Sequence, residues 1–80
     1  MTPERPLRLA FLLQPQFSMM AFAAALEPLR QANRVAGRTL YEWPLVSTDG
    51  RAVHASNGIP IAVDHDLDGV GQPDLLLVCV

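Results

Sequence analysis

The sequence predicts an α/β fold built on a parallel sheet, and three observations carry the prediction. Two runs are apolar at every position, Leu9–Leu13 and Leu75–Val80. Strands that lack apolar–polar alternation are buried on both faces, as in parallel sheets covered by helices. A helical pattern follows the first run. Because the chain offers one helix and at most five strands, we expect an incomplete sheet that forms part of a larger domain.

The first strand and the helix have clear limits in the sequence. Residues 7–13 form the predicted strand, and Ser18 is the expected N-cap because its hydroxyl can accept a hydrogen bond from a free amide of the first turn. Gly37 is the expected stop, since glycine tolerates the left-handed conformation at a helix end. Pro28 lies inside this pattern, where it removes a hydrogen bond and predicts a kink.

The middle of the chain predicts a further strand and a hairpin. Residues 40–47 alternate as a half-exposed strand, and Pro44 places this strand at a sheet edge or a bulge because proline cannot complete the ladder. The segments 52–56 and 59–63 flank Asn57-Gly58, a strong signal for a β-hairpin. We therefore expect a hairpin inserted into the parallel sheet.

Composition excludes several classes of protein. The chain has 80 residues, 50% of them hydrophobic, and a net charge of −2. It has no basic block for nucleic acid, and no apolar stretch approaches the ~20 residues that cross a membrane. The N-terminus lacks the apolar region of a secretory signal, and one cysteine cannot form an internal disulfide. A cytoplasmic location in a bacterial-type cell is the expectation.

We predict neither a metal site nor a cofactor. Residues 64–73 are a predicted loop that begins like a calcium-binding EF-hand loop, with Asp64, Asp66 and Asp68. Its twelfth position is Leu75, where such a loop needs a bidentate glutamate, so we expect solvated aspartates. The glycines of this loop precede a strand, whereas those of a dinucleotide-binding loop follow one.

No catalytic residue is predicted either. Cys79 lies in an apolar strand, and a buried cysteine behaves as a small hydrophobic residue. Ser18 follows a strand but lacks the flanking glycines of a nucleophile elbow.

The candidate ligand site is the loop that follows the first strand. In open α/β sheets, ligands bind beyond the carboxyl ends of the strands, where this loop is expected. The predicted site residues are Gln14, Pro15, Gln16 and Phe17.

The order of several motifs resembles a known family. A loop ending in Phe17, the helix segment LEPLRQAN, the strand YEWPLVSTDG and the turn SNG together resemble the start of the DJ/PfpI superfamily. That superfamily has a class I glutamine amidotransferase-like, flavodoxin-like fold. More specifically, the chain is similar to the N-terminal domain of those AraC-family transcriptional regulators that use this fold as a sensor. The resemblance covers nearly all of residues 1–80.

The resemblance implies a non-catalytic fragment of a sensing or dimerisation domain. It implies a homodimer, a small-molecule effector, and DNA binding only through a C-terminal helix-turn-helix domain absent from this chain. The alternative is a fragment of a cysteine-dependent hydrolase or deglycase. In such enzymes an acidic residue, aligned with Ala21 here, pairs with a nucleophilic cysteine beyond Val80. Ala21 therefore favours the regulator.

Overall fold

A computed structural model describes residues 5–80, and residues 1–4 of the predicted domain lie outside the described range. One helix follows the first of seven short strands. The elements are β1 (Leu7–Leu13), α1 (Met19–Ala36), β2 (Tyr41–Glu42), β3 (Leu45–Ser47), β4 (Val53–His54), β5 (Pro60–Ile61), β6 (His65–Asp66) and β7 (Leu75–Cys79).

The main sheet is entirely parallel, as predicted, and β1 is its central strand. On one side β1 pairs with β7 from Leu9↔Leu75 to Leu13↔Cys79. On its other side β1 pairs with β2 and then with β3, and β3 pairs with β6. The order across the sheet is therefore β7, β1, β2/β3 and β6.

The prediction that Pro44 marks a sheet edge or a bulge is confirmed only in part, because β2 before it pairs with β1 alone among the described strands, whereas β3 after it lies between β1 and β6. β2 and β3 are two parts of one strand in a single register, with Leu7 opposite Tyr41 and Phe11 opposite Leu45. Strand pairing is interrupted between Glu42 and Leu45, yet the Pro44 carbonyl still accepts a hydrogen bond from the Phe11 amide at 2.9 Å. Proline removes only one donor, so the strand loses one ladder bond, and β3 keeps its place between β1 and β6.

The two faces of β1 bury two separate clusters. Phe11 and Leu13 point towards α1 and pack with Phe17 and Phe22, whose rings meet edge-to-face. Ala10 and Leu12 point to the other face. That second cluster is completed by Val46 from β3 and Val70 from the loop before β7.

The helix begins and ends as the sequence predicts. Ser18 is the N-cap, and its Oγ accepts a hydrogen bond from the Ala21 amide at 3.1 Å. Gly37 has φ +69° and donates to the carbonyl oxygens of Asn33 and Arg34. Pro28 lies inside α1, which continues through it. None of the described residues forms a helix long and apolar enough to cross a membrane.

The predicted hairpin is present, and its turn has three residues. β4 and β5 are antiparallel, with Val53 opposite Ile61. The Ala55 amide donates to the Ile59 carbonyl, and Gly58, at φ +87°, donates to the Ala55 carbonyl. This is the hairpin in which a type I turn is followed by a left-handed residue, and glycine meets that requirement without strain.

Two further predictions need correction. The segment 64–73 is not all loop, because His65–Asp66 forms β6 and pairs with β3. The run from Leu75 is a strand but is not buried, since Leu75, Leu76 and Val78 expose 53%, 43% and 56% of their surface. β7 pairs with β1 alone among the described strands, so one of its edges and much of its faces meet solvent.

Candidate ligand site at the carboxyl ends of the strands

The loop after β1 is a tight turn with a strained residue at its centre. The Phe17 amide donates to the Gln14 carbonyl at 3.0 Å, which closes a four-residue turn. Pro15 occupies the second position, and Gln16, in the third, has φ +69°. Proline followed by a residue with positive φ is the arrangement of a type II turn, in which glycine normally holds the third position.

Four backbone hydrogen bonds join this turn and its flanks to two other parts of the chain. The Gln16 amide donates to the His54 carbonyl at 2.8 Å, and the Ser56 amide donates to the Phe17 carbonyl at 2.8 Å. These two bonds attach the turn to the hairpin. On the other side, the carbonyls of Cys79 and Val80 accept from the Gln14 and Ser18 amides at 3.0 and 3.2 Å.

The four predicted site residues have different environments. Phe17 is completely buried in the cluster beneath α1, with its ring centroid 5.7 Å from that of Phe22. Pro15 and Gln16 are exposed, and Gln14 is half-buried. A bound molecule could therefore reach Pro15 and Gln16 directly, whereas Phe17 holds the turn in place.

A small cavity of about 220 Å³ lies beside the turn. Its walls come from the end of β1 (Leu13), from the turn (Pro15), and from the segment that follows β3. It thus opens at the carboxyl ends of two adjacent parallel strands, where α/β sheets bind ligands. Beyond Leu13 and Pro15, the lining residues are Ser47, Thr48, Asp49, Arg51, Ala52 and Val53.

The polar groups of this cavity are organised by their own loop. The buried Ser47 Oγ donates to the Arg51 carbonyl at 2.8 Å, and the Arg51 amide donates to Asp49 Oδ1 at 3.0 Å. The sequence indicated only a turn at Thr48-Asp49-Gly50 and gave no reason to place these residues beside Pro15. Their contribution follows from the pairing of β1 with β3.

A larger recess of about 660 Å³ lies at the other end of the sheet, among residues that include Arg8, Tyr41, Trp43 and His65. Arg8 and Tyr41 belong to the first residues of β1 and β2. Ligands of α/β sheets do not normally bind at the amino ends of the strands. We therefore take the smaller cavity as the candidate site.

The aspartates of the predicted acidic loop hold backbone groups. Asp64 Oδ2 accepts from the Leu45 amide at 2.8 Å, and Asp66 Oδ1 accepts from the Gly69 amide at 2.6 Å. The expectation that both side chains are simply solvated is therefore incomplete. Within residues 5–80, no three His, Cys, Asp or Glu side chains are grouped so that they could hold a metal ion.

Cys79 and Ala21 both lie near the start of α1. Cys79 is half-buried and packs against the cluster beneath the helix, and burial raises the pKa of its thiol. A raised pKa leaves little thiolate at neutral pH. Ala21 is exposed on the first turn of α1 and offers no carboxylate.

Most of the chain is similar in sequence to known proteins. No protein-family model matches it. The chain is 43% identical over 76 residues to the HTH-type transcriptional regulator GbdR of Pseudomonas aeruginosa, a match that covers 95% of this chain and 21% of GbdR. It is 48% identical over 68 residues to the HTH-type regulator CdhR of the same species, covering 85% of this chain and 20% of CdhR.

Solved structures agree with these relatives. An AraC family transcriptional regulator from Pseudomonas putida superimposes with a TM-score of 0.80 and 29% identity, over 92% of this chain and 46% of the regulator. A DJ-1 superfamily protein from Agrobacterium tumefaciens superimposes with a TM-score of 0.65 and 24% identity, over 92% of this chain and 37% of that protein. The second likeness shows the fold alone and confirms the flavodoxin-like prediction.

The matches also bear on the choice between a regulator and an enzyme. The named relatives are transcriptional regulators, which supports the prediction of a non-catalytic regulator fragment over a hydrolase or deglycase. The chain spans about a fifth of the length of these curated relatives, with 21% and 20% covered. Over that share of their length the chain is similar to HTH-type transcriptional regulators, and its fold is that of the AraC family regulator and of the DJ-1 superfamily protein.

Proposed function

We propose that residues 1–80 are the N-terminal part of a single DJ/PfpI-like domain that senses a small molecule for a bacterial, cytoplasmic transcriptional regulator. The observation that carries the proposal is the cavity between Pro15 and the segment after β3. It lies at the ligand-binding end of the sheet, and its wall contains one of the predicted site residues. Gln14–Phe17 form one side of the effector site.

The size of the cavity limits the effector. A water molecule occupies about 30 Å³ of liquid, so about 220 Å³ has room for a molecule of metabolite size and none for a polymer. Apolar walls from Leu13, Pro15 and Val53 face polar groups from Ser47, Asp49 and Arg51. Binding sites for small molecules combine these two kinds of surface.

DNA binding and dimerisation complete the proposal. With a net charge of −2, the chain lacks the excess of basic residues typical of DNA-binding domains, and we assign DNA contact to a helix-turn-helix domain outside this chain. The exposed apolar side chains of β7 support burial of this strand within a larger assembly. We propose a homodimer as the working form.

A pair of matched substitutions tests the effector site in the full-length regulator. Ala52→Leu adds three carbons inside the cavity and should abolish the change in transcription that small metabolites cause, while DNA binding persists. Ala24→Leu makes the same change on an exposed face of α1 and should preserve the response. An unchanged metabolite response in Ala52→Leu would contradict the proposed site.

A further inference from the structure

Gln16 carries backbone strain that a glycine at the same position of the turn would avoid. Among residues 5–80 it is the one non-glycine residue with a positive φ, at +69°. A side chain is disfavoured in this conformation because its Cβ approaches the neighbouring carbonyl oxygen. Glycine would occupy the position without strain, so the glutamine maintains a less stable backbone at the proposed site.

The same four residues have a second conformation within reach. Type I and type II turns have the same closing hydrogen bond and differ by rotation of the central peptide. Rotation of the Pro15–Gln16 peptide would bring Gln16 to a negative φ and keep the bond from the Phe17 amide to the Gln14 carbonyl. Pro15 suits the second position of both turn types.

One hydrogen bond opposes this rotation. The Gln16 amide belongs to the peptide that would rotate, and it donates to the His54 carbonyl of β4 at 2.8 Å. Rotation would turn this amide away from β4 and break the bond. The neighbouring bond from the Ser56 amide to the Phe17 carbonyl does not involve that peptide, so the hairpin would remain attached.

We propose that the Gln14–Phe17 turn is a two-state peptide switch that the β4–β5 hairpin holds in its strained state. Pro15 and Val53, the residue before His54, both line the cavity. A bound molecule that displaces the His54 carbonyl releases the Gln16 amide, and relief of strain drives the rotation. This last step rests on the proposed function, whereas the two states of the turn do not.

The switch has a route to the rest of the protein. Gln14 and Ser18, on either side of the rotating peptide, donate to the carbonyls of Cys79 and Val80. These two bonds connect the flanks of the turn to the end of β7. Backbone hydrogen bonds thus join the hairpin, the turn and β7.

Amide hydrogen exchange of the full-length protein, measured by NMR without ligand, tests the two states. In the wild-type protein, the Gln16 amide should be less protected than the Phe17 amide, because rotation exposes only the former. Gln16→Gly removes the strain and should raise the protection factor at position 16, relative to that of Phe17, by about tenfold. Tenfold corresponds to roughly 1.4 kcal/mol, within the range for one left-handed residue.

Two further variants keep the test decisive. Gln72→Gly makes the same change at an exposed loop position without a positive φ and should leave the ratio at positions 16 and 17 unchanged. Gln16→Val, whose branched side chain is still less suited to a positive φ, should lower protection at position 16.

Equal protection of the two amides in the wild type, or an unchanged ratio in Gln16→Gly, would overturn the proposal. Because the exchange experiment uses no ligand, that result would not contradict the proposed effector site. The effector site is tested separately by the Ala52→Leu experiment.

Discussion

Replacing Phe17 by alanine should destabilise the protein by several kcal/mol, although Phe17 lies in the predicted ligand loop. The side chain is completely buried and meets the Phe22 ring edge-to-face at 5.7 Å and 82°. Removing a buried phenylalanine loses its transfer free energy and leaves a cavity, a combined cost of about 3–5 kcal/mol. A folded domain has roughly 5–15 kcal/mol of stability in total, so this cost is a large fraction of it.

Urea denaturation of the full-length protein, followed by circular dichroism, measures this cost. Phe17→Leu retains most of the apolar volume and should lose much less stability than Phe17→Ala. Met20→Ala, which shortens a residue that is 82% exposed on α1, should change stability by no more than about 0.5 kcal/mol. If the free energy of unfolding of Phe17→Ala lay within about 1 kcal/mol of the wild-type value, Phe17 would not be a core residue that holds the turn in place.

Three further predictions concern β7 and its surroundings. Arg5 and the Arg8 amide hold the pKa of Asp74 well below its ordinary value. These contacts therefore stabilise the fold above the unfolded pKa of about 3.9, and the stabilisation is lost as pH falls. Asp74→Asn should therefore lower the urea midpoint at pH 7, and the difference from the wild type should shrink steadily below pH 4; a pH-independent difference would refute this. Cys79 should be alkylated slowly at pH 7, because burial raises the pKa of its thiol. Cys79→Ser should preserve the metabolite response and lower the stability by about 1 kcal/mol. Rapid labelling together with loss of the response would contradict a structural role. The 80-residue chain alone should associate or unfold without a sharp transition, because Leu76 and Val78 are exposed; a monomer with a cooperative transition on sizing and denaturation would oppose this.

Local sequence determined the elements whose signals lie within a few residues of one another. β1 is a short apolar run, the ends of α1 are set by Ser18 and Gly37, and the hairpin follows from Asn57-Gly58. Each signal acts through local geometry, namely a hydroxyl that accepts from a nearby amide or a glycine that accepts a positive φ. Such geometry depends little on the rest of the protein.

Tertiary structure decided the features that depend on distant partners. Pro44 indicates an edge, yet its carbonyl accepts from the Phe11 amide of a strand more than thirty positions earlier, and β3, which follows it, lies between β1 and β6. Phe17 is buried because α1 and the hairpin close over it. The cavity exists because β1 and β3 are neighbours, which brings the segment after Ser47 to Pro15. Periodicity and turn signals place a residue on one face of its strand or helix. The order of the strands in the sheet then determines which residues pack against that face.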